Sequence, residues 1–213
     1  MSILYRYGNP EASPILIQPV GDHDISGIES EIAEIKKRSR ADFQMIAVKV
    51  KDWNQDLSPW PAAAVFKDQD FGDGAEELLQ EILQLCSDRN KKYYLGGYSL
   101  AGLFSLWASC QTGRFSGVAA ASPSLWFPGF MEYLKEHPVK VGKVYLSLGD
   151  REEKTKNPVM STVGDCIREA SVWLKQRGIL CTLEWNQGNH FKEPELRTAK
   201  AFAWVLENQE KNG

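Results

Sequence analysis

Lys92-Tyr93-Tyr94-Leu95-Gly96-Gly97-Tyr98-Ser99-Leu100-Ala101-Gly102-Leu103-Phe104 is the stretch that decides the fold. Its first half is a short aromatic and aliphatic run closing on two glycines, the pattern of a buried strand entering a turn. Its second half continues apolar from Leu100 to Ser109, enough for a buried helix. A serine held at a strained turn between such a strand and helix needs very small neighbours two residues before and two after it. Gly97 meets that need, Ala101 adds one methyl where a second glycine is expected, and Gly102 follows at once. The turn also puts the Leu100 amide at a helix N-terminus, where it can donate to a developing oxyanion. The plainer alternative is a serine N-cap on an ordinary strand–helix turn.

Outward from this turn, strand and helix patterns alternate. Ile15–Val20 is a short apolar run ending at Gly21, and Ser26-Gly27-Ile28-Glu29 has the S-x-x-E spacing of a capping box. Ile25, Ile28, Ile32 and Ile35 continue at helical spacing, which predicts a helix to about Arg38. Phe43–Val50 reads as the next strand, followed by a long irregular stretch, 51–74, of the kind that often carries function. Leu78, Leu79, Ile82, Leu83, Leu85 and Cys86 mark an amphipathic helix ahead of the strand over 92–96. Downstream, Gly117–Ala121 and Lys143–Leu148 read as strands, and a helix from about Val159 to Arg177 ends at Gly178. Leu180–Trp185 is the last strand and Pro194–Leu206 the last helix. No internal repeat is visible. This alternation, with apolar central strands, predicts an α/β domain over 1–213: a mostly parallel sheet with helices on both faces.

Composition excludes several function classes. Lys+Arg is 25 against Asp+Glu 28, a net charge of −3, and the densest basic cluster is Lys36-Lys37-Arg38. No polyanion-binding surface is expected, so nucleic acid is not an expected partner. The stretch Met1–Tyr7 lacks a basic segment followed by an apolar one, and no apolar run approaches a membrane span. Cys86, Cys110, Cys166 and Cys181 lie far apart, without metal-ligand spacing. They read as reduced and buried in a cytoplasmic protein, with no metal and no organic cofactor expected.

A nucleophilic Ser99 needs a base, and the chain has three histidines. His137 sits at a polar helix end and His23 follows the first apolar strand, whereas His190 lies in a loop between the last strand and the last helix. Catalytic loops gather at the C-terminal edge of open α/β sheets, and the order serine, acid, histidine leaves His190 as the candidate base. The acid belongs after Lys143–Leu148, where Gly149-Asp150-Arg151-Glu152-Glu153 offers three carboxylates. The commonest spacing, G-x-x-D, favours Glu152, with Asp150 and then Glu153 as alternatives.

These residues carry a resemblance. Gly97–Phe104, Ala121-Ser122-Pro123-Ser124-Leu125-Trp126, Val144–Asp150 and Gly188-Asn189-His190-Phe191 are similar to the esterase-D-like, siderophore-esterase-like branch of the α/β-hydrolases, over roughly residues 15–206. The resemblance implies an α/β-hydrolase fold, and 213 residues lead us to expect a minimal lid or none. It implies Ser99 as nucleophile, His190 as base and an acid in the 150–153 loop. The second oxyanion amide is expected in Gly21-Asp22-His23, with Asp22 taken first. Trp53, Trp60, Trp126, Phe127 and His23 are candidate substrate contacts, while Trp107, Trp173, Trp185 and Trp204 read as core. The expected activity is that of a serine carboxylesterase on a small soluble ester. A thioesterase or S-acyl-glutathione hydrolase, and a catalytically weak binding protein of the same fold, are the alternatives.

Overall fold

Alternating apolar side chains of the central strands feed two separate cores, one on each face of a single sheet. The computed structural model describes residues 2–65 and 69–208. Its strands are β1 (Ile3–Gly8), β2 (Pro14–Val20), β3 (Gln44–Lys49), β4 (Lys92–Tyr98), β5 (Gly117–Ala121), β6 (Lys143–Gly149) and β7 (Leu180–Asn186). They lie in the order β1-β3-β2-β4-β5-β6-β7. β1 is antiparallel to β3 and every other pairing is parallel. The helices are α1 (Asp22–Ile25), α2 (Ile28–Arg38), α3 (Trp53–Asp56), α4 (Ala75–Leu85), α5 (Leu100–Gln111), α6 (Phe130–Glu136), α7 (Val163–Gln176) and α8 (Pro194–Glu207).

Ile15 and Ile17 of β2 pack into one core with Leu95, α4, α5, α6 and α7. Leu16 and Val20 pack into the other with Tyr94, α2 and α8. This is the period-two alternation of a sheet covered on both faces. The small-residue strand β5 has a steric reason: a Cβ on Gly96 would come within 2.8 Å of Phe202 and within 2.7 Å of Ala119. Small residues at 96 and 119 therefore let α8 settle onto the sheet. α5 is buried on all sides from Leu100 to Cys110, which is why it carries no polar stripe. Its buried hydroxyls are satisfied within the helix, with Ser105 Oγ donating to the Ala101 carbonyl at 2.8 Å.

Several sequence expectations are corrected. β1 comes from a segment with no strong apolar alternation, because an edge strand need bury little: Ile3 is 58% exposed. The Ser26 capping box does not form. The chain makes the single turn α1 from Asp22, breaks at Ser26-Gly27 and restarts at Ile28. The Asp24 carboxylate instead accepts the Gly21 amide at 2.8 Å. α7 begins at Val163 rather than near Val159, after a short 3-10 turn over Met160–Thr162. Stretch 51–74 contains α3 and an antiparallel bridge between Ala62 and Phe71. Trp185 is not core: it is 41% exposed on the edge strand β7, with the Arg168 guanidinium over its ring. Trp107 is buried, while Trp173 and Trp204 are half-buried. All four cysteines are free, but only Cys86 and Cys110 are buried. No helix among the described residues is long and apolar enough to cross a membrane.

Candidate active site

β4 delivers Ser99 to the C-terminal edge of the sheet in a conformation that few residues adopt, φ 57° and ψ −120°. Such a backbone costs on the order of 1–3 kcal/mol and persists only where its surroundings over-determine it. Here the Ser99 amide donates to the Ala121 carbonyl at 3.1 Å, and the Ser99 carbonyl accepts from the Leu103 and Ser124 amides, each at 3.1 Å. The small neighbours are a matter of space. A Cβ on Gly97 would stand 2.6 Å from the Ala101 Cβ, and one on Gly102 would meet the Gly97 carbonyl and Pro123. Ala101 fits because Gly97 leaves its side of the turn empty.

His190 reaches Ser99 from the loop between β7 and α8. Its Nε2 is 3.0 Å from Ser99 Oγ and its Nδ1 is 2.7 Å from Glu152 Oε2. An ionised carboxylate only accepts, so Nδ1 carries the proton and Nε2 is free to accept from the Ser99 hydroxyl. With that hydrogen committed, the Ser124 hydroxyl, 3.2 Å away, donates to Ser99 Oγ. The structure therefore brings together Ser99, His190 and Glu152 of the sequence-derived candidates.

Of the three carboxylates after β6, only Glu152 is turned inward, 8% exposed on a short 3-10 turn over Glu152–Lys154. Asp150 instead accepts the Gly188 amide at 2.7 Å and so braces the His190 loop from outside. Glu153 pairs with Arg168 on the surface at 2.9 Å. Neither touches His190 in the way an acid partner must. The other oxygen of Glu152, Oε1, accepts from the Gly149 amide at 2.7 Å, the Ser122 hydroxyl at 2.8 Å and Arg197 at 2.7 Å. Burial by itself would push this carboxyl up. The hydrogen bond and charge of His190, with the Gly149 and Ser122 donors, outweigh it and hold Glu152 below the usual carboxylate range.

Sequence reasoning gave no individual role to Tyr98, Ser122 and Ser124, which lie in the quoted motifs, and did not reach Arg197 at all. Ser122 sits at φ 42°, a second strained serine, and carries its hydroxyl to the Glu152 carboxylate. Tyr98 donates to the His190 carbonyl at 2.7 Å, and burial beside Glu152 pushes its phenol up to about 12. Arg197 is 1% exposed. The signal for it was an arginine on the apolar face of the last helix, four residues before Ala201 and eight before Val205.

β2 lies next to β4, so the turn at Gly21-Asp22-His23 shares the sheet edge with Ser99. Leu100 and Asp22 are each the first residue of a helix, and N–H groups there have no intrahelical acceptor. The Asp22 carboxylate pairs outward with Lys49. His23 packs edge-on against Trp53, ring centroids 5.0 Å apart, and Trp53 also borders Gly21. Trp126 is half-buried against Phe71, a few residues beyond Ser124. One of the sequence-derived substrate contacts is buried in packing instead. Phe127 is 2% exposed between Trp60 and Phe71. Trp60 leans on Phe127, Phe130 and Tyr133 and donates its indole N–H to the Pro128 carbonyl at 2.9 Å. The strand-end position of Phe127 was legible, but not that its ring turns into the core. Phe191, beside His190, is by contrast 78% exposed. No group of three or more His, Cys, Asp or Glu suited to a metal occurs among the described residues.

No family model matches the sequence, and no curated protein matches it. Solved structures do. An IroE-like serine hydrolase from Shewanella oneidensis superimposes with a TM-score of 0.77 at 15% identity, over 96% of this chain and 75% of that one. The siderophore hydrolase EstA from Aspergillus nidulans gives 0.67 at 18% identity, over 94% and 85%. The fluorophosphonate-binding serine hydrolase FphF from Staphylococcus aureus gives 0.61 at 10% identity, over 97% and 98%. The chain has the α/β-hydrolase fold.

Proposed function

We propose that this chain is a serine hydrolase that cleaves a small carboxylic ester through an acyl-enzyme intermediate. The observation that carries the reading is the hydrogen-bonded series Ser99–His190–Glu152, with the serine on a strained turn ahead of a helix N-terminus. Solved proteins of this fold that are named serine hydrolases and siderophore hydrolases support the ester class.

In the proposed reaction, Ser99 Oγ attacks the ester carbonyl as its proton passes to His190 Nε2. The Leu100 and Asp22 amides hold the oxyanion, and Glu152 stabilises the imidazolium. Collapse breaks the bond to the alcohol oxygen, which leaves with the proton from His190. Water then attacks the acyl-Ser99 ester, giving its proton to His190, and the acid product departs as Ser99 regains a proton. His23, Trp53, Trp126 and the exposed Phe191 are the proposed contacts for an apolar or aryl acyl group.

Stoichiometric labelling by a fluorophosphonate, lost in Ser99→Ala and in His190→Ala, is the expected result. Folded protein that takes no label would overturn the reading and favour a binding role. A panel of p-nitrophenyl esters and matched thioesters separates the carboxylesterase from the thioesterase, since both share the same acyl-enzyme.

A further inference from the structure

The Arg197 guanidinium is 1% exposed, buried where four segments that carry or contact the Ser99, His190 and Glu152 side chains meet. Its Nη1 donates to Glu152 Oε1 at 2.7 Å, to the Tyr98 hydroxyl at 3.1 Å and to Ser122 Oγ at 3.3 Å. Its Nη2 donates to the carbonyls of Asn189 at 2.9 Å and Gln187 at 3.3 Å. One side chain from α8 thus spans the end of β4, the turn after β5, the acid turn after β6 and the histidine loop after β7. Only a planar fork with several donors can do this; an ammonium on a flexible stem can meet the charge but not the geometry.

We propose that Arg197 is a positioning residue of the Ser99 site, fixing which oxygen of Glu152 faces His190 and tying the histidine loop to the nucleophile strand. The inference rests on the hydrolase reading above and deepens it. Three donors engage Glu152 Oε1, so Oε2 alone is left to face the imidazole. Arg197 also acts on His190 through its neighbours, because Tyr98 accepts from Arg197 and donates to the His190 carbonyl. The charged and titratable groups facing Glu152 are His190 from its loop, Arg197 from α8 and Tyr98 from β4.

Charge gives the proposal a signature that packing alone would not have. A carboxylate shared with a permanent cation holds an imidazolium less tightly than an unshared one. Replacing Arg197 by an uncharged residue therefore strengthens the hold of Glu152 on a protonated His190. The acid limb of the kcat/KM profile then moves to higher pH.

The test is steady-state hydrolysis of p-nitrophenyl acetate by the full chain from pH 5 to 9, with folding checked by circular dichroism. Arg197→Met is expected to lower kcat about 100-fold, as a misplaced catalytic group does, with KM little changed. Its acid limb is expected to rise by about one pH unit. Arg197→Lys is expected to keep the wild-type limb while remaining slow, and methylguanidinium to restore part of the rate of Arg197→Ala. An acid limb at the wild-type position in folded Arg197→Met would overturn the proposal. Should Arg197→Met not fold, Arg197→Lys decides: a lowered kcat supports the proposal and an unchanged one overturns it. Failure of the hydrolase reading looks different, since wild-type protein would then neither turn over ester nor take a fluorophosphonate.

Discussion

Two glutamates are buried among the described residues, and they are held in opposite states. Glu152 is 8% exposed and Glu31, on α2, is 3% exposed. Glu152 faces a histidine, an arginine, a backbone amide and a hydroxyl, and its carboxyl is held below the usual range. Glu31 meets one neutral donor, the Gln18 side-chain amide at 3.3 Å, and its Oε1 has no partner among the described residues. Burial pushes Glu31 up to about 8, Asp24 and Glu195 add to the effect, and the Gln18 amide offsets a small part of it. Depth alone thus says nothing about charge; the number and sign of the donors decide it. A carboxylate that must stabilise an imidazolium at neutral pH needs the first kind of surroundings.

Glu152→Gln and Glu31→Gln put that contrast to its hardest test. Glu152→Gln keeps the shape and removes the charge, so kcat on a p-nitrophenyl ester should fall on the order of 10⁴-fold. Glu31→Gln in the same assay should stay within about threefold, since the carboxyl it replaces is already uncharged at neutral pH. Equal losses would erase the distinction.

Stability sharpens it next. The folded state raises Glu31 from 4.5 to about 8. Its contribution is therefore complete below about pH 4.5, falls as pH rises towards 8 and is lost beyond, by on the order of a few kcal/mol. Glu31→Gln should flatten thermal unfolding midpoints measured between pH 5 and 9 and raise the one at pH 9. Glu152 has the opposite sign. Its folded value is lowered, so its contribution is present above its ordinary range and disappears as pH falls through the folded value. Glu152→Gln should accordingly flatten the fall in stability on the acid side while lowering the unfolding midpoint at neutral and alkaline pH, where the lost contribution was present. The neighbouring carboxylates should matter far less than Glu152: Asp150→Ala and Glu153→Ala should each keep activity within about tenfold. A 10³-fold loss in Glu153→Ala would point to a different acid.

Much of this was legible in the sequence, and the rest was withheld for physical reasons. Parallel strands buried on both faces leave continuous apolar runs, so β2 to β6 stand out, whereas the half-exposed edge strand β1 leaves no such trace. Ser99 and His190 follow from a turn with strict spatial demands and from chain order. The partner of His190 was ambiguous because Asp150, Glu152 and Glu153 share one short loop, and only the inward turn of Glu152 separates them. Arg197, and the contact of Ser122 with Glu152, were hidden because a buried polar side chain is written with the same letter as an exposed one. Phe127 follows β5 closely in the chain, yet its ring is 2% exposed; proximity in the chain does not report direction.

The tight contact between residues 97 and 101 bears on how relatives of this protein can be recognised. The turn has room for a single methyl group shared between the two positions, and this chain places it at Ala101. What the fold enforces is thus a joint volume rather than a pair of glycines. A pattern demanding glycine on both sides of the serine passes over sequences that satisfy the steric condition equally well. Counting the combined side-chain atoms at the two flanking sites would retain them.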